Sequence, residues 1–169
     1  VKRFYQIFDA SWLMNPRGLW YANHIPGFIE EVKLYIADET LKEIETHLSN
    51  PEKEASARTG RRMVAKYMGQ KGYTRITLAS VPLAPLFPLN NLRADSSVDK
   101  KLLGLAYNLT AEDSAAFAFI LTWDGGIQTE ASLMHAQTGL PIFTPATLNQ
   151  FLQFIGGTRV RDDNPRHLL

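Results

Sequence analysis

Apolar runs and helical stripes alternate along this chain. Ala115 to Leu121 is apolar at every position and Phe4 to Phe8 is short and aromatic, so both read as buried strands. Val32 to Ala37 is a further strand, Tyr73 to Ala79 alternates weakly and reads as a strand near an edge, and Pro141 to Phe143 is a last short one. Ala115 to Leu121, the most apolar of the five, is expected at the centre of the sheet. Leu41, Ile44 and Leu48 recur at helical spacing after Asp38, a candidate N-cap, and Asn50-Pro51 ends that helix. Glu54 to Met68 is the next helix, with Val64, Tyr67 and Met68 facing inward and Gly69 and Gly72 closing it. Leu102, Leu103, Ala106 and Leu109 form a third stripe, opened by Ser96 and Asp99 at the spacing of a capping box. Ile127 to Gln137 is a fourth helix, ended by Gly139, and Pro145 opens a fifth carrying Leu148, Phe151, Leu152 and Ile155.

Strands alternating with helices through short connections predict an α/β fold, a three-layer α/β/α sandwich around a central, mainly parallel sheet. The connections carry turn chemistry: Asn15-Pro16-Arg17-Gly18 and Ile25-Pro26-Gly27 mark a loop or broken helix after Trp12, and Asn90, Asn91 and Asp95 to Ser97 another turn. Prolines interleaved with Leu and Phe from Val81 to Leu89 exclude a helix or central strand there and leave a connector packed over the core. Trp12, Trp20 and Tyr21 have a choice between lining a cleft and filling the core, and aromatics at this density more often pack. One domain over residues 1–155 is expected, followed by a polar tail over 156–169 with Arg159, Arg161 and Arg166.

Composition narrows the partners more than the fold. With 18 Lys and Arg against 17 Asp and Glu, the formal charge is +1, so a polyanion must be met by a local basic face. Arg58, Arg61, Arg62 and Lys66 on one helix could supply phosphate contacts, although such a run is more commonly a solvated face. Cys is absent, which excludes disulfides and thiolate metal sites and fits a reducing, cytoplasmic setting. No run approaches the roughly 18 apolar residues of a membrane-spanning helix. Lys2 and Arg3 lead straight into a strand, unlike a secretory signal, and a start at Val1 without Met points to a processed or trimmed chain.

The candidate chemistry lies in acids at element ends. Asp9 follows one buried strand and Asp124 another, and in a parallel sheet the carboxyl ends of the strands form the crevice where ligands bind. Glu43 flanks the Leu41, Ile44 and Leu48 stripe with Thr40 and His47; its position is half-buried, which is costly for a carboxylate unless it is paired, protonated or metal-bound. The plainer alternative makes Glu43 an exposed helix former. Asp99 opens a helix, where capping alone, at about 1 kcal/mol, also accounts for it. If Asp9, Glu43, Asp99 and Asp124 meet at one sheet end, their charges repel and call for a cation. A set of oxygen donors selects a hard ion, Mg²⁺ or Mn²⁺, held partly through waters and able to activate a water for phosphodiester hydrolysis.

The order of these pieces resembles the PIN domain. The likeness rests on Phe8-Asp9-Ala10-Ser11, on Leu41-Lys42-Glu43-Ile44-Glu45, on Asp99-Lys100-Lys101-Leu102-Leu103-Gly104-Leu105-Ala106, and on Leu121-Thr122-Trp123-Asp124, and it runs from about Phe4 to Leu152. The resemblance implies an α/β/α domain and a divalent-metal-dependent ribonuclease with RNA as its substrate. Carried over by motif, the catalytic acids are Asp9, Glu43, Asp99 and Asp124, with Asp9, Asp99 and Asp124 as metal ligands and the hydroxyls of Ser11 and Thr122 behind them. Two departures matter. Gly126 stands where the family often has a further acid, which bears on a second metal, and Trp123 is large where the family is small or polar, so it could stack on an RNA base or simply pack. The resemblance extends to a possible homodimer and leaves a toxin, with an antitoxin as protein partner, beside a processing nuclease. A non-catalytic PIN-like module that binds RNA or protein is the competing reading. A hydrolase with an aspartyl nucleophile at Asp9 is disfavoured, because Ser11 occupies the place of its second acid.

Overall fold

Strand β1 (Arg3–Phe8) forms the middle of a five-stranded, all-parallel sheet. In the computed structural model, which describes residues 3–14, 31–69, 73–81, 97–145, 150 and 153, β1 is flanked by β2 (Glu31–Ala37) and β4 (Ala116–Leu121). The edges are β3 (Tyr73–Ile76) and β5 (Ile142–Phe143), so the order is β3-β2-β1-β4-β5. The most apolar run therefore lies next to the centre. The middle position falls to β1, which is paired along its whole length on both sides.

Strand periodicity divides the core in two. Phe4, Phe8, Leu34, Ile36, Phe119 and Leu121 point to one face, and Ile7, Ala37, Ala118 and Ile120 to the other. The first face is covered by α1 (Ala10–Leu13), α2 (Asp38–His47) and α3 (Glu54–Met68) through Trp12, Leu13, Ile44, Ala57, Val64 and Tyr67. The second is covered by α4 (Ser97–Glu112) and α5 (Gly125–Thr138) through Leu102, Leu103, Ala106, Ile127, Ala131 and Met134. The result is a three-layer α/β/α sandwich. Each large side chain so enclosed is worth about 1.5–3 kcal/mol over its exposed state. Among the described residues, no helix is long and apolar enough to cross a membrane.

Several local expectations change. Asp38 is the first residue of α2, whose N-cap is Ala37; the Asp38 carboxylate instead pairs with Arg75 and accepts the Thr77 hydroxyl, tying the helix to edge strand β3. β3 ends at Ile76, and Leu78–Ser80 turn into a 3₁₀ helix, where the Glu39 carboxylate accepts the Leu78 N–H at 3.0 and 2.9 Å. Met68 is 44 % exposed, because the buried stripe of α3 runs Ala57, Gly60, Val64 and Tyr67, and Met68 falls at its edge. Thr40 is fully buried, whereas Glu43, expected on the same flank as half-buried, has its side chain 48 % exposed. The expectations for Trp20, Tyr21, Gly72, Ser96, the Pro82 to Leu89 connector, the Leu148 to Ile155 stripe and the tail lie outside the described residues.

Candidate active site

The chain leaving β1 turns into the layer of Trp12 and Leu13, whereas the chain leaving β4 turns into the layer of Ile127. Neighbouring strands whose connections depart to opposite faces leave a crevice at their carboxyl ends. Register fills it: Phe8 pairs with Leu121, so Asp9 and Thr122 emerge side by side. Asp9 is only 6 % exposed. Its Oδ2 accepts the Ser11 hydroxyl at 2.6 Å and the Thr122 hydroxyl at 2.8 Å. Those hydroxyl oxygens in turn accept the Trp123 and Asp124 N–H groups, each at 3.0 Å. With backbone protons arriving at both oxygens, the two hydroxyl protons are directed at Asp9 and hold its carboxylate in one orientation. Among the described residues no donor reaches Oδ1.

Asp124 is the N-cap of α5; its Oδ1 accepts the Gly126 N–H at 2.8 Å and the Ile127 N–H at 3.1 Å. Asp124 thus has a capping role of its own, while the cap expected at Ser96 and Asp99 lies partly outside the described residues. Glu43 projects from the second turn of α2 with its side chain 48 % exposed and its Oε1 3.7 Å from His47 Nε2. Asp99 comes from the first turn of α4, in the opposite layer. All four acids line a single pocket of about 830 Å³. Proximity shows in the titration of Asp99 and Glu43. Burial raises the Asp99 carboxyl to about 7, helped by the charges of Asp9, Asp124 and Glu43. Burial and the Asp9 charge also raise Glu43, against the pull of His47 and Lys53.

Other residues named from the sequence lie elsewhere. Arg58 is held by Glu54 at 2.6 Å and Arg61 by Glu45 at 3.4 Å on the exposed face of α3, and Arg62 donates to Thr59. None of these, nor Lys66, lines the acidic pocket. Trp123 is half-buried and stacks on Trp12 with ring centroids 4.5 Å apart and planes 14° from parallel. That face of the indole is therefore taken up by packing. The pocket also includes residues that sequence reasoning did not assign: Glu39, Lys42, Thr46, Lys53 and Ser56. Part of this set was within reach, since positions 39, 42, 43 and 46 share a helical face.

Any ion here would meet oxygen donors. Among the described residues, no three acidic or imidazole side chains stand close enough together to hold one ion. Mg²⁺ keeps several waters and takes one or two carboxylates directly, so the set suits a hydrated hard ion better than a closed cage. The Asp99 pKa is raised first by burial and then by the neighbouring carboxylates, and the latter contribution is the part that such a cation relieves. The chain matches no protein-family model, and no curated protein matches it.

Proposed function

We propose that this protein is a divalent-metal-dependent RNA endonuclease that hydrolyses phosphodiester bonds at the pocket of Asp9, Glu43, Asp99 and Asp124. The observation that carries the reading is the gathering of four carboxylates from four separate elements at the strand-order reversal. Like charges collected in one cleft oppose folding, and a cationic ligand offsets that cost. The resemblance of the surrounding motifs to the PIN domain supports the same reading.

Asp9, Asp99 and Asp124 would hold Mg²⁺ or Mn²⁺ partly through its waters, given their open spacing, with Ser11 and Thr122 orienting Asp9. When bound, the ion supplies an acidified water and shields charge on the phosphoryl group. Glu43, half exposed and with a raised pKa, is suited to accept a proton within the pocket. With RNA as substrate, the expected setting is the cytoplasm. A toxin role would add an antitoxin as partner, and a small antitoxin-like neighbouring reading frame would support that role.

The test is cleavage of single-stranded RNA in Mn²⁺ by wild type, Asp9→Asn and Asp124→Asn, with circular dichroism to confirm folding. Loss of cutting in both variants is expected. Cutting that persists in both variants with EDTA present removes the reading. The alternative, a non-catalytic module that binds RNA or protein, is favoured by the open spacing of the acids and by Gly126. Titration calorimetry separates the two, since absence of Mn²⁺ binding would support the module.

A further inference from the structure

The pocket is not lined by acids alone. Lys42 from α2, and Lys53 and Ser56 from the start of α3, share its lining with the carboxylates. Both lysines are exposed, and neither makes an ion pair among the described residues. The Lys53 charge reaches Glu43, whose pKa it draws down, yet no carboxylate clasps the ammonium. Arg58 and Arg61 are the contrary case: their guanidinium groups are already held by Glu54 and Glu45, outside the pocket.

This distribution bears on how a polyanion could approach. A net charge of +1 gives no long-range pull, and a carboxylate cup repels phosphates at short range. Among the described residues, the cations at the cup itself are placed to offset that repulsion, and Lys binds phosphate as a mobile point charge. We propose that Lys42 and Lys53 form the phosphate-binding wall of this pocket, gripping the backbone of a single-stranded RNA beside the phosphodiester presented to the carboxylates. The inference rests on the nuclease reading above and moves the RNA contact from the arginine face of α3 to the pocket lining.

Fluorescence anisotropy with a short fluorescein-labelled single-stranded RNA, in Ca²⁺ and over a range of KCl, provides the test. Lys42→Gln/Lys53→Gln is expected to bind about tenfold more weakly, with the slope of log K against log salt reduced by about 1.4, or about 0.7 for each contact. In Mn²⁺ its KM should rise more than its kcat falls, and Lys42→Arg/Lys53→Arg should recover both slope and affinity. Exposed lysines tolerate such changes within about 0.5 kcal/mol, so a thermal melt like that of wild type is expected. Wild-type affinity and slope in the glutamine variant, in a protein that still cuts RNA, would overturn the lysine assignment alone. A wild-type protein that neither binds nor cuts RNA would overturn the nuclease reading and this inference together.

Discussion

Two hydroxyl groups decide how the Asp9 carboxylate is aimed. Ser11 and Thr122 each pass a backbone proton's influence onward, accepting from Trp123 or Asp124 and donating to Asp9 Oδ2. Thr122→Val keeps the shape but removes one donor to Asp9 and strands the Asp124 N–H, at about 1–3 kcal/mol. Removing an orienting partner of this kind costs about 10–100-fold in metal affinity, so Mn²⁺ calorimetry on Ser11→Ala and Thr122→Val should show weakening of that order. Unchanged affinity would separate the hydroxyls from ion binding. Gln6 presents the opposite situation. It is fully buried in the middle strand, and neither side-chain polar atom has a partner among the described residues. Gln6→Met should therefore stabilise the protein by about 1–2 kcal/mol in urea unfolding, because it removes a desolvation cost with little change in shape.

At the scale of elements, side chains fasten the sheet where backbone pairing stops. Arg3 at the start of β1 grips Asp113 through Nε at 2.6 Å and Nη2 at 3.0 Å, and Asp113 also accepts the Ala115 N–H that leads into β4. The Arg3 hydrogen bond and the Ala115 N–H lower the Asp113 pKa from 3.8 to about 2. A depressed acid stabilises the fold above the unfolded pKa, and this contribution fades as pH falls from about 4 through about 2. Asp113→Asn should lose that dependence: its Tm falls near neutral pH but converges on that of wild type below about pH 2. Helix α5 ends on Gly139 at φ 72°, in the left-handed region where a side chain clashes with the backbone. Gly139→Ala should destabilise by about 1–2 kcal/mol. Gly60 serves closeness of approach instead, since a Cβ there would lie 3.1 Å from Met14 Cγ and 3.3 Å from Ile44 Cγ2.

For the whole molecule, the carboxylate pocket makes stability depend on pH in the reverse sense to Asp113. With its pKa raised from 3.8 to about 7, folded Asp99 keeps a proton that the unfolded chain has released. The native state then binds more protons across that interval, so metal-free stability falls as pH rises from about 4 to about 7. Thermal melts of Asp99→Asn should show a flatter profile and, above about pH 7, a higher Tm than wild type. Ion binding displaces the same proton, so Mn²⁺ affinity should increase across pH 7. At Mn²⁺ about 100 times its Kd, the protein should gain about 2.7 kcal/mol, a Tm rise of roughly 5–10 °C. Asp9→Asn should abolish most of that gain.

The hydropathy pattern by itself determined the alternation of strands and helices, the parallel α/β class and the identity of most core residues. Ile44, Leu102, Leu103 and Phe4 to Phe8 bury as their spacing requires, because a helical stripe or a strand run is a local signal. It also located carboxylates at the ends of strands, since Asp9 and Asp124 stand directly after the residues that leave the sheet. Tertiary structure decided the neighbours. That β1 is the middle strand, that Thr122 bonds an acid 113 positions away, and that Glu43 and Asp99 approach one pocket from opposite layers all depend on strand order, which hydropathy does not record. The same holds for charge: the Glu54–Arg58 pair follows from i,i+4 spacing, but only packing reveals that Arg61 is engaged by Glu45 of the neighbouring helix while Lys42 and Lys53 line the pocket of acids. A residue's burial follows from its own segment, whereas its electrostatic company depends on segments that fold against it from far along the chain.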